Sequence, residues 1–562
     1  MLFTFSSGAQ TLYNVCFNSC ISLPFEQDMS AIKILESVDG NGSVSLIAFG
    51  EQVEISNSFV LYRSDANGSQ IWNKLFRVDS NEILIHNIND TIIRKYLSPL
   101  DMVSSINSGY FISASLDSFI TVIDTAGNYS FFDSTSSIII HTDTSGTLIW
   151  SKKIETPVES APVKMIYDNA GSALYILSHE IRFPGDSVFY LIKMDTLGNV
   201  LWSSEFYGQP GNISASDFIL NNNMLYISLG IDSNILMLKT DTSGNIIWSN
   251  NYNAGYEEGY HELISLVNTN NGLALAFNRH PAPHPTLTFV DSNGSILSAK
   301  SYATDTAFYL TNFMLYNPDR LLMFQQSDSF TFTGRLHKND FWVINSSNNY
   351  QLHENLLTAS YYYGGSTGSI YWFSFANFVK TPAGLLALIE QKMHFNFYGA
   401  DMFMPELVQM DSVCGKACWF NPTVVLNHII LNVNITSSPV ILSNPIIALN
   451  ISNANIITYD SLLDPHVHCL GTVGINNHSE NSGMAEIYPN PFYKNATLTL
   501  SSEFEIKNAE LNIYNSLGKL IKKTLIFNSE SSISRDGLTG GIYFFRVTNQ
   551  KNQFLSGKFV IE

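Results

Sequence analysis

The chain has 562 residues, too many for one ordinary domain, and its 45% hydrophobic content is enough for a sizeable core. A formal net charge of −19 sets polyanionic nucleic acid aside as a partner, and no apolar run of ~20 residues exists to cross a membrane as a helix. Charged residues are only 14%, against ~25% in typical soluble domains, so Ser, Thr and Asn supply the polar surface, a composition that suits strands and turns.

Residues 1–9 end in Ser7, Gly8 and Ala9 after a short apolar stretch, Leu2 to Phe5. Small residues in that place fit the tail of a secretory signal peptide whose start lies upstream. The five cysteines fall in two groups, Cys16 and Cys20, then Cys414, Cys418 and Cys469. An odd number leaves at least one without an intramolecular partner. Disulfides in an oxidising compartment are the expectation, ahead of a four-thiolate zinc site.

One pattern recurs between residues 10 and 420. Its copies run from Asp65 through Gly68 to Trp72, from Asp143 through Gly146 to Trp150, from Asp195 through Gly198 to Trp202, and from Asp241 through Gly244 to Trp248. Asp291 and Gly294 repeat the turn and lose the Trp, the copy near Asn345 is degenerate, and Asp411 to Trp419 restores the pattern with one extra residue. Apolar strand-like runs flank each copy. The Asp accepts backbone N–H bonds at the start of a turn, Gly takes the left-handed conformation that closes it, and Trp packs its large face on a neighbouring sheet. A further strand lies upstream in each unit, and a fourth is expected. Four-stranded units at intervals of ~40–55 residues predict a β-propeller, here of seven blades. Thr11 to Phe17 resembles the Trp-bearing strand and is placed to complete the seventh blade, which removes an open edge. The long interval between Trp72 and Asp143, with a second turn signal at Asp124 to Gly127, predicts an extra hairpin in the second blade.

Two enzyme families with related repeats are excluded. Quinoprotein dehydrogenases carry Ala two residues before the Asp, where this chain has Arg63, His141, Lys193 and Lys239. The sialidase Asp-box spacing also fails. The repeat is therefore structural, with no cofactor implied. It resembles the uncharacterised propellers found upstream of type IX sorting domains.

Residues 421–483 contain several short apolar runs, with little Gly and almost no charge. A flexible linker would be richer in Gly, Ser and charge, so this connector is expected to form strands that pack on the propeller or on each other. Beyond it, residues 484–562 hold about seven short strands with turns every ~8–12 residues, as in a small β-sandwich. Tyr488, Pro489, Asn490 and Pro491 open this segment. Leu511 to Gly518, Leu538 to Tyr543 with Gly541, and the final Lys558 follow at compatible spacing. These motifs resemble the type A C-terminal sorting domain of the type IX secretion system of Bacteroidetes. The resemblance implies an Ig-like sandwich, recognition by the type IX machinery, export to the outer cell surface or medium, and removal of the domain, with attachment to surface lipopolysaccharide as a further consequence.

No catalytic constellation stands out. Glu257, Glu258 and His261 have the wrong order for a zinc protease, and the His280/His284 loop and the His466, His468 and Cys469 cluster are favoured as structural. The aromatic residues Tyr361, Tyr362, Tyr363 and Trp372 form a candidate ligand platform, with core packing as the alternative. The expected function is a surface binding or adhesion scaffold for an extracellular glycan or protein. A secreted hydrolase acting on polysaccharide or peptide, or a purely structural surface protein, is the alternative.

Overall fold

The structure, a computed structural model, describes residues 10–16, 29–49, 58–78, 82–85, 90–105, 108–123, 129–157, 160–180, 186–210, 213–231, 234–253, 261–270, 272–279, 284–304, 309–317, 320–331, 334–345, 352–362, 370–381, 384–395, 400–410, 428–432, 435–460, 466–473, 485–500, 506, 509–515, 520–549 and 554–561. Among them no helix occurs and strands dominate. The chain divides into two compact units, residues 1–472 and 473–562.

In the first unit, alternating strands and turns fold into seven antiparallel sheets that succeed one another along the chain. Their opening strands are Met29–Glu36, Asp90–Ser105, Ser160–Asp168, Ile213–Asn221, His261–Thr269, Tyr309–Asn317 and Ile370–Thr381. Each opening strand lies against that of the next sheet, and Ile370–Thr381 also lies against Met29–Glu36. This is the layout of a β-propeller. Apolar clusters straddle adjacent sheets. One joins Val44, Phe59 and Phe76 of the first sheet to Met102, Ile112 and Ile138 of the second. Another joins Leu386 and Leu388 of the seventh sheet to Ile34, Ile47 and Tyr62 of the first. The strand Gln10–Cys16 pairs with Ala400–Met410 in the seventh sheet, Asn14 opposite Val408.

The second sheet departs from its neighbours. Asp90–Ser105, Gly109–Ile123 and Tyr129–Thr142 have 16, 15 and 14 residues, and Glu82–Ile85 is added at their far end. The turn signal at 124–127 lies outside the described residues; the strands on either side of it, Gly109–Ile123 and Tyr129–Thr142, pair with each other, so the insertion lengthens the sheet's own strands.

The connector pairs with the outermost strands, one sheet at a time, in reverse order. His428–Asn432 pairs with the fifth sheet and Thr436–Pro439 with the fourth. Isolated bridges at Ser443 and Ile446 reach Tyr207 and Ser204 of the third. Asn450–Asn453 pairs with the second sheet, Ile456–Asp460 with the first, and His466–Val473 lies beside Gln10–Cys16 in the seventh. Each addition covers backbone groups that an edge strand would otherwise leave open. Apolar connector residues also enter the clusters between sheets: Ile435, Leu442 and Ile456 are buried there. Serines of the repeat fasten this girdle. Ser151, Ser203 and Ser249, each directly after the repeat Trp, donate to the carbonyls of Ala454, Ile447 and Val440 at 2.5, 2.6 and 2.6 Å.

The second unit has a three-stranded sheet, Ala485–Tyr488, Asn495–Leu500 and Glu530–Ser534, and a four-stranded sheet in the order Leu520–Ile526, Ala509–Asn515, Gly541–Thr548, Phe554–Ile561. Alternating residues of both sheets, among them Leu498, Ile513, Phe545 and Phe559, form one buried core.

A variant with Ser151, Ser203 and Ser249 all changed to Ala loses three hydrogen bonds worth about 1 kcal/mol each. Its expected outcome is a clear fall in thermal unfolding temperature and faster proteolytic cutting within 428–473. Unfolding and cutting identical to the parent would mean that the hydroxyls do not hold the girdle.

Candidate functional site

The repeat residues sit where one sheet meets the next. In the third sheet, Asp195 Oδ1 accepts from the backbone N–H groups of Leu197 and Asn199 at 2.9 and 2.8 Å, which shapes the turn. Gly198 has φ of +85°, a conformation that needs no Cβ. The turns then receive the Trp of the preceding sheet. Trp150 Nε1 donates to Thr196 O, Trp202 Nε1 to Thr242 O and Trp248 Nε1 to Ser292 O, at 3.0, 3.2 and 3.2 Å. A Cβ on Gly244 would stand 3.1 Å from the Trp202 ring, so the turn also has to stay bare for the ring to lie on it. Trp72 packs against Gly146 in the same way, without the hydrogen bond. Lys193 and Lys239 occupy the position two before the Asp. They donate to the next turn's carbonyl, of Thr242 and Ser292, and lie over the rings of Tyr175 and Tyr226. The residue before the Trp faces the other way and stays exposed, as at Ile71, Ile149, Leu201 and Ile247.

A second set of contacts joins the opening strands. Each of these strands carries a β-bulge. In six of them a polar residue follows it: Lys33, Asp101, Lys164, Ser265, Asn312 and Asn377. In the fourth strand Asp217 lies two residues beyond the residue after the bulge, Ala215. Bulges re-aim side chains, and here the side chains form a relay. Lys33 Nζ pairs with Asp101 Oδ1 at 3.0 Å, and Asp101 Oδ2 accepts from Met165 N at 2.7 Å. Lys164 Nζ pairs with Asp217 Oδ1 at 2.9 Å, and Asp217 Oδ2 accepts from Leu266 N and Ser265 Oγ at 2.7 and 3.0 Å. Burial works against the Lys164 charge, but Asp217 and Asp101 outweigh it and hold the ammonium above its usual range. Asn278 continues the relay, exchanging two hydrogen bonds with the backbone of Leu310. Both buried carboxylates are thus engaged by a lysine and by backbone N–H groups, an arrangement for holding sheets together.

The lengthened second sheet presents a different surface. On one face of its projecting part, Phe119 lies opposite Asp133, Phe131 opposite Thr121, and Asp117 opposite both Tyr96 and Thr135. Phe131 is 76% exposed and Phe119 46%. The Tyr96 and Phe119 rings stand edge to face with centroids 5.4 Å apart. Thr135 Oγ1 donates to Asp117 Oδ1 at 2.7 Å, orienting that carboxylate beside the rings. The face thus sets exposed aromatic surface next to oriented oxygen acceptors. Sequence reading passed over these residues, because Phe in a strand reads as core. The signal that was available was the length of the interval itself.

The candidate platform is divided by the fold. Tyr361 and Tyr362 belong to Leu352–Tyr362, the closing strand of the sixth sheet, and Trp372 to the opening strand of the seventh. Tyr363 lies outside the described residues, as do Asp411 to Trp419, residues 1–9, Gly518, Cys20, Cys414, Cys418, Glu257, Glu258 and His280. Cys16 and Cys469 are on strands that neighbour each other in the seventh sheet. Among the described residues no three His, Cys, Asp or Glu side chains gather to hold a metal ion.

In the second unit, the opening motif closes on the last strand. Asn490 Oδ1 accepts from Val560 N at 2.8 Å, and its amide nitrogen donates to Lys558 O at 3.3 Å. Phe492 N donates to Val560 O at 3.1 Å, and the buried Phe492 ring stacks on Phe559. Tyr543 stacks on the other side of that core, 5.5 Å from Phe559, with its hydroxyl donating to Thr539 O at 2.9 Å. Tyr488, Pro489 and Pro491 remain exposed, Tyr488 at 81%. Gly541 begins the strand that Tyr543 continues, and Lys558 is exposed. The family model for the secretion system C-terminal sorting domain matches residues 486–562. That segment is a type IX sorting domain. It marks the protein for export by the type IX machinery, to the medium or the outer cell surface.

No curated protein sequence matches the chain. Among solved structures it is similar to the Dos1 propeller, at 11% identity and a TM-score of 0.34, over 68% of this chain and 95% of that one. It is also similar to the WD40 domain of SCAP from fission yeast, at 10% identity and a TM-score of 0.31, over 75% and 94%. At such scores the fold assignment rests on this chain's own sheet order and contacts.

The repeat turns carry a pH dependence. Partial burial alone would raise the carboxyls of Asp143, Asp195 and Asp241, but hydrogen bonds from the side chains of Ser145, Asn199 and Asn245 and from turn N–H groups outweigh it and hold all three below the ordinary value. Depressed carboxyls stabilise fully above the unfolded value of about 4 and lose that contribution as pH falls through the folded values. An Asp143→Asn, Asp195→Asn, Asp241→Asn variant should therefore unfold more easily than the parent at neutral pH and match it near about pH 2. A stability gap that stays constant from neutral to acid pH would show that ionisation of these turns is not involved.

Proposed function

We propose that the protein is an exported, surface-displayed binding scaffold: a seven-bladed propeller, closed by Gln10–Cys16 in its seventh blade, that binds a glycan through the projecting face of its second blade. In this scheme residues 421–473 belong to the propeller as its girdle, and 484–562 form a separate Ig-like sorting domain. The observation that carries the binding reading is the exposed pair Phe119 and Phe131, with half-buried Tyr96, beside Asp117, Asp133 and Thr135. An aromatic face stacks on the C–H face of a pyranose, and flanking carboxylate and hydroxyl oxygens accept and donate to its hydroxyls. The sorting domain supplies the setting, because a protein delivered to the outer surface meets extracellular polysaccharide there.

Catalysis has less support. A hydrolase on this fold needs carboxylates available to substrate, whereas Asp101 and Asp217 are both committed to lysine and backbone partners between blades. At the equivalent positions of three other blades stand neutral Ser265, Asn312 and Asn377.

Two experiments test the proposal. In a glycan-array and titration experiment, a Phe119→Ala, Phe131→Ala variant should lose about tenfold or more in affinity for whichever glycan the parent binds, since stacked aromatics carry most of such contacts. A parent that binds no glycan, or a variant that binds equally well, would refute the site. In a host with the secretion system, the parent should be accessible to protease added outside the cell, and a variant lacking 486–562 should be protected inside. Equal exposure of both would refute the role of the sorting domain in display of this chain.

A further inference from the structure

We propose that the outer face of the sorting domain's four-stranded sheet docks on an anionic phospholipid surface. The two sheets of the domain share one core and have contrasting outer faces. The three-stranded sheet turns Asn495, Thr497 and Thr499 outward, opposite Ser534, Ser532 and Glu530. Apart from Tyr488, which stands exposed opposite Thr497, that face is polar.

The four-stranded sheet is apolar and cationic instead. Along Gly541–Thr548, Tyr543, Phe545 and Val547 are buried while Ile542, Phe544 and Arg546 point out. Phe544 has Tyr514 on one side and Lys558 on the other, and Leu520 lies beyond Tyr514. Leu525 and Phe527 add a second apolar group along the far edge, 54% and 67% exposed. Ile542 and Leu520 are 52% and 46% exposed. Large hydrophobic side chains exposed on one face of so small a unit mark an interaction surface.

Between the two apolar groups runs a polar band in which Lys523 and Arg546 flank Asn512. With Lys558, the face carries three cations against one carboxylate, Glu510, which pairs with Lys523 at 2.8 Å. The whole chain bears −19, so this face is positive on an acidic protein. Aromatic and aliphatic groups interleaved with Lys and Arg fit the boundary between acyl chains and headgroups. The rings enter the apolar layer, and the cations meet phosphates while their stems lie along it. The proposal rests on the surface address of the domain and is independent of the glycan reading of the second blade.

The test is flotation of the full-length protein with vesicles of phosphatidylcholine alone and of phosphatidylcholine with phosphatidylglycerol. The expected result is binding to the anionic vesicles at least about tenfold tighter than to the neutral ones, weakening as salt is raised. A Phe544→Ser, Leu525→Ser variant and an Arg546→Glu, Lys558→Glu variant should each lose about tenfold, while Thr497→Glu on the opposite sheet stays at the parental value. All these positions are outside the core, and unchanged circular dichroism and unfolding temperature confirm that each variant is folded. Equal binding to both vesicle types, no binding to either, retention by the Phe544/Leu525 variant, or an equal loss in Thr497→Glu would overturn the proposal. So would binding that appears only when an outer-membrane protein is built into the vesicles, since that makes the partner a protein.

Discussion

Among the described residues, backbone pairing lies within each sheet of the first unit and, for six of the seven, with the girdle segment added to it, so side chains are what join one sheet to the next. That constraint explains the repeat. A short polar turn is easy to encode, but it is useful here because it is a seat for a Trp from the sheet before it. The contact is directional, from Trp150 to the third sheet's turn, from Trp202 to the fourth's, from Trp248 to the fifth's. A head-to-tail contact repeated with a constant rotation must either close on itself or continue as a filament. Between the seventh and first sheets the described residues show apolar packing of Leu386, Leu388, Ile34 and Tyr62.

The relay of Lys33, Asp101, Lys164 and Asp217 answers the same need nearer the axis. Opening strands converge there, and bulky apolar residues from seven strands compete for little room. Alternating lysine and carboxylate fill the space with groups that attract across the gap between sheets. Their cost in desolvation is recovered only because backbone N–H groups of Met165 and Leu266 complete the carboxylates. Such a network favours one arrangement of neighbours over others more than it adds stability, since a sheet displaced by one position would bring like charges together.

Much of this was legible in the sequence, and the reasons divide by range. The Asp, Gly and Trp of the repeat are local, and their spacing alone gives turn, strand and direction. The strand nature of the connector was also legible, from its apolar runs and lack of charge. Its route was not, because pairing Asn450–Asn453 with Leu148–Glu155 joins residues some three hundred positions apart and no local pattern records it. The serines that fasten it were hidden by the Trp beside them. The relay was hidden by its own logic: equivalent positions hold opposite charges, so a search for similarity between repeats passes over them. Phe119 and Phe131 are twelve positions apart in sequence and come near each other only because their strands pair.

The two units place their specific information differently, and this bears on how display works. In the propeller, four strands of each sheet are close in sequence and only the girdle and Gln10–Cys16 are brought from far along the chain. In the sorting domain, Asn490 at the front of the fold is bonded to the backbone of Lys558 and Val560 at its back, and Phe492 stacks on Phe559. No early part of that domain is satisfied without its last strand. The outer face carrying Phe544, Arg546 and Lys558 therefore exists only once the last strand is in place. The girdle covers the outer edges of five sheets with paired strands and that of a sixth with isolated bridges, which leaves fewer open edges to offer to wrong partners.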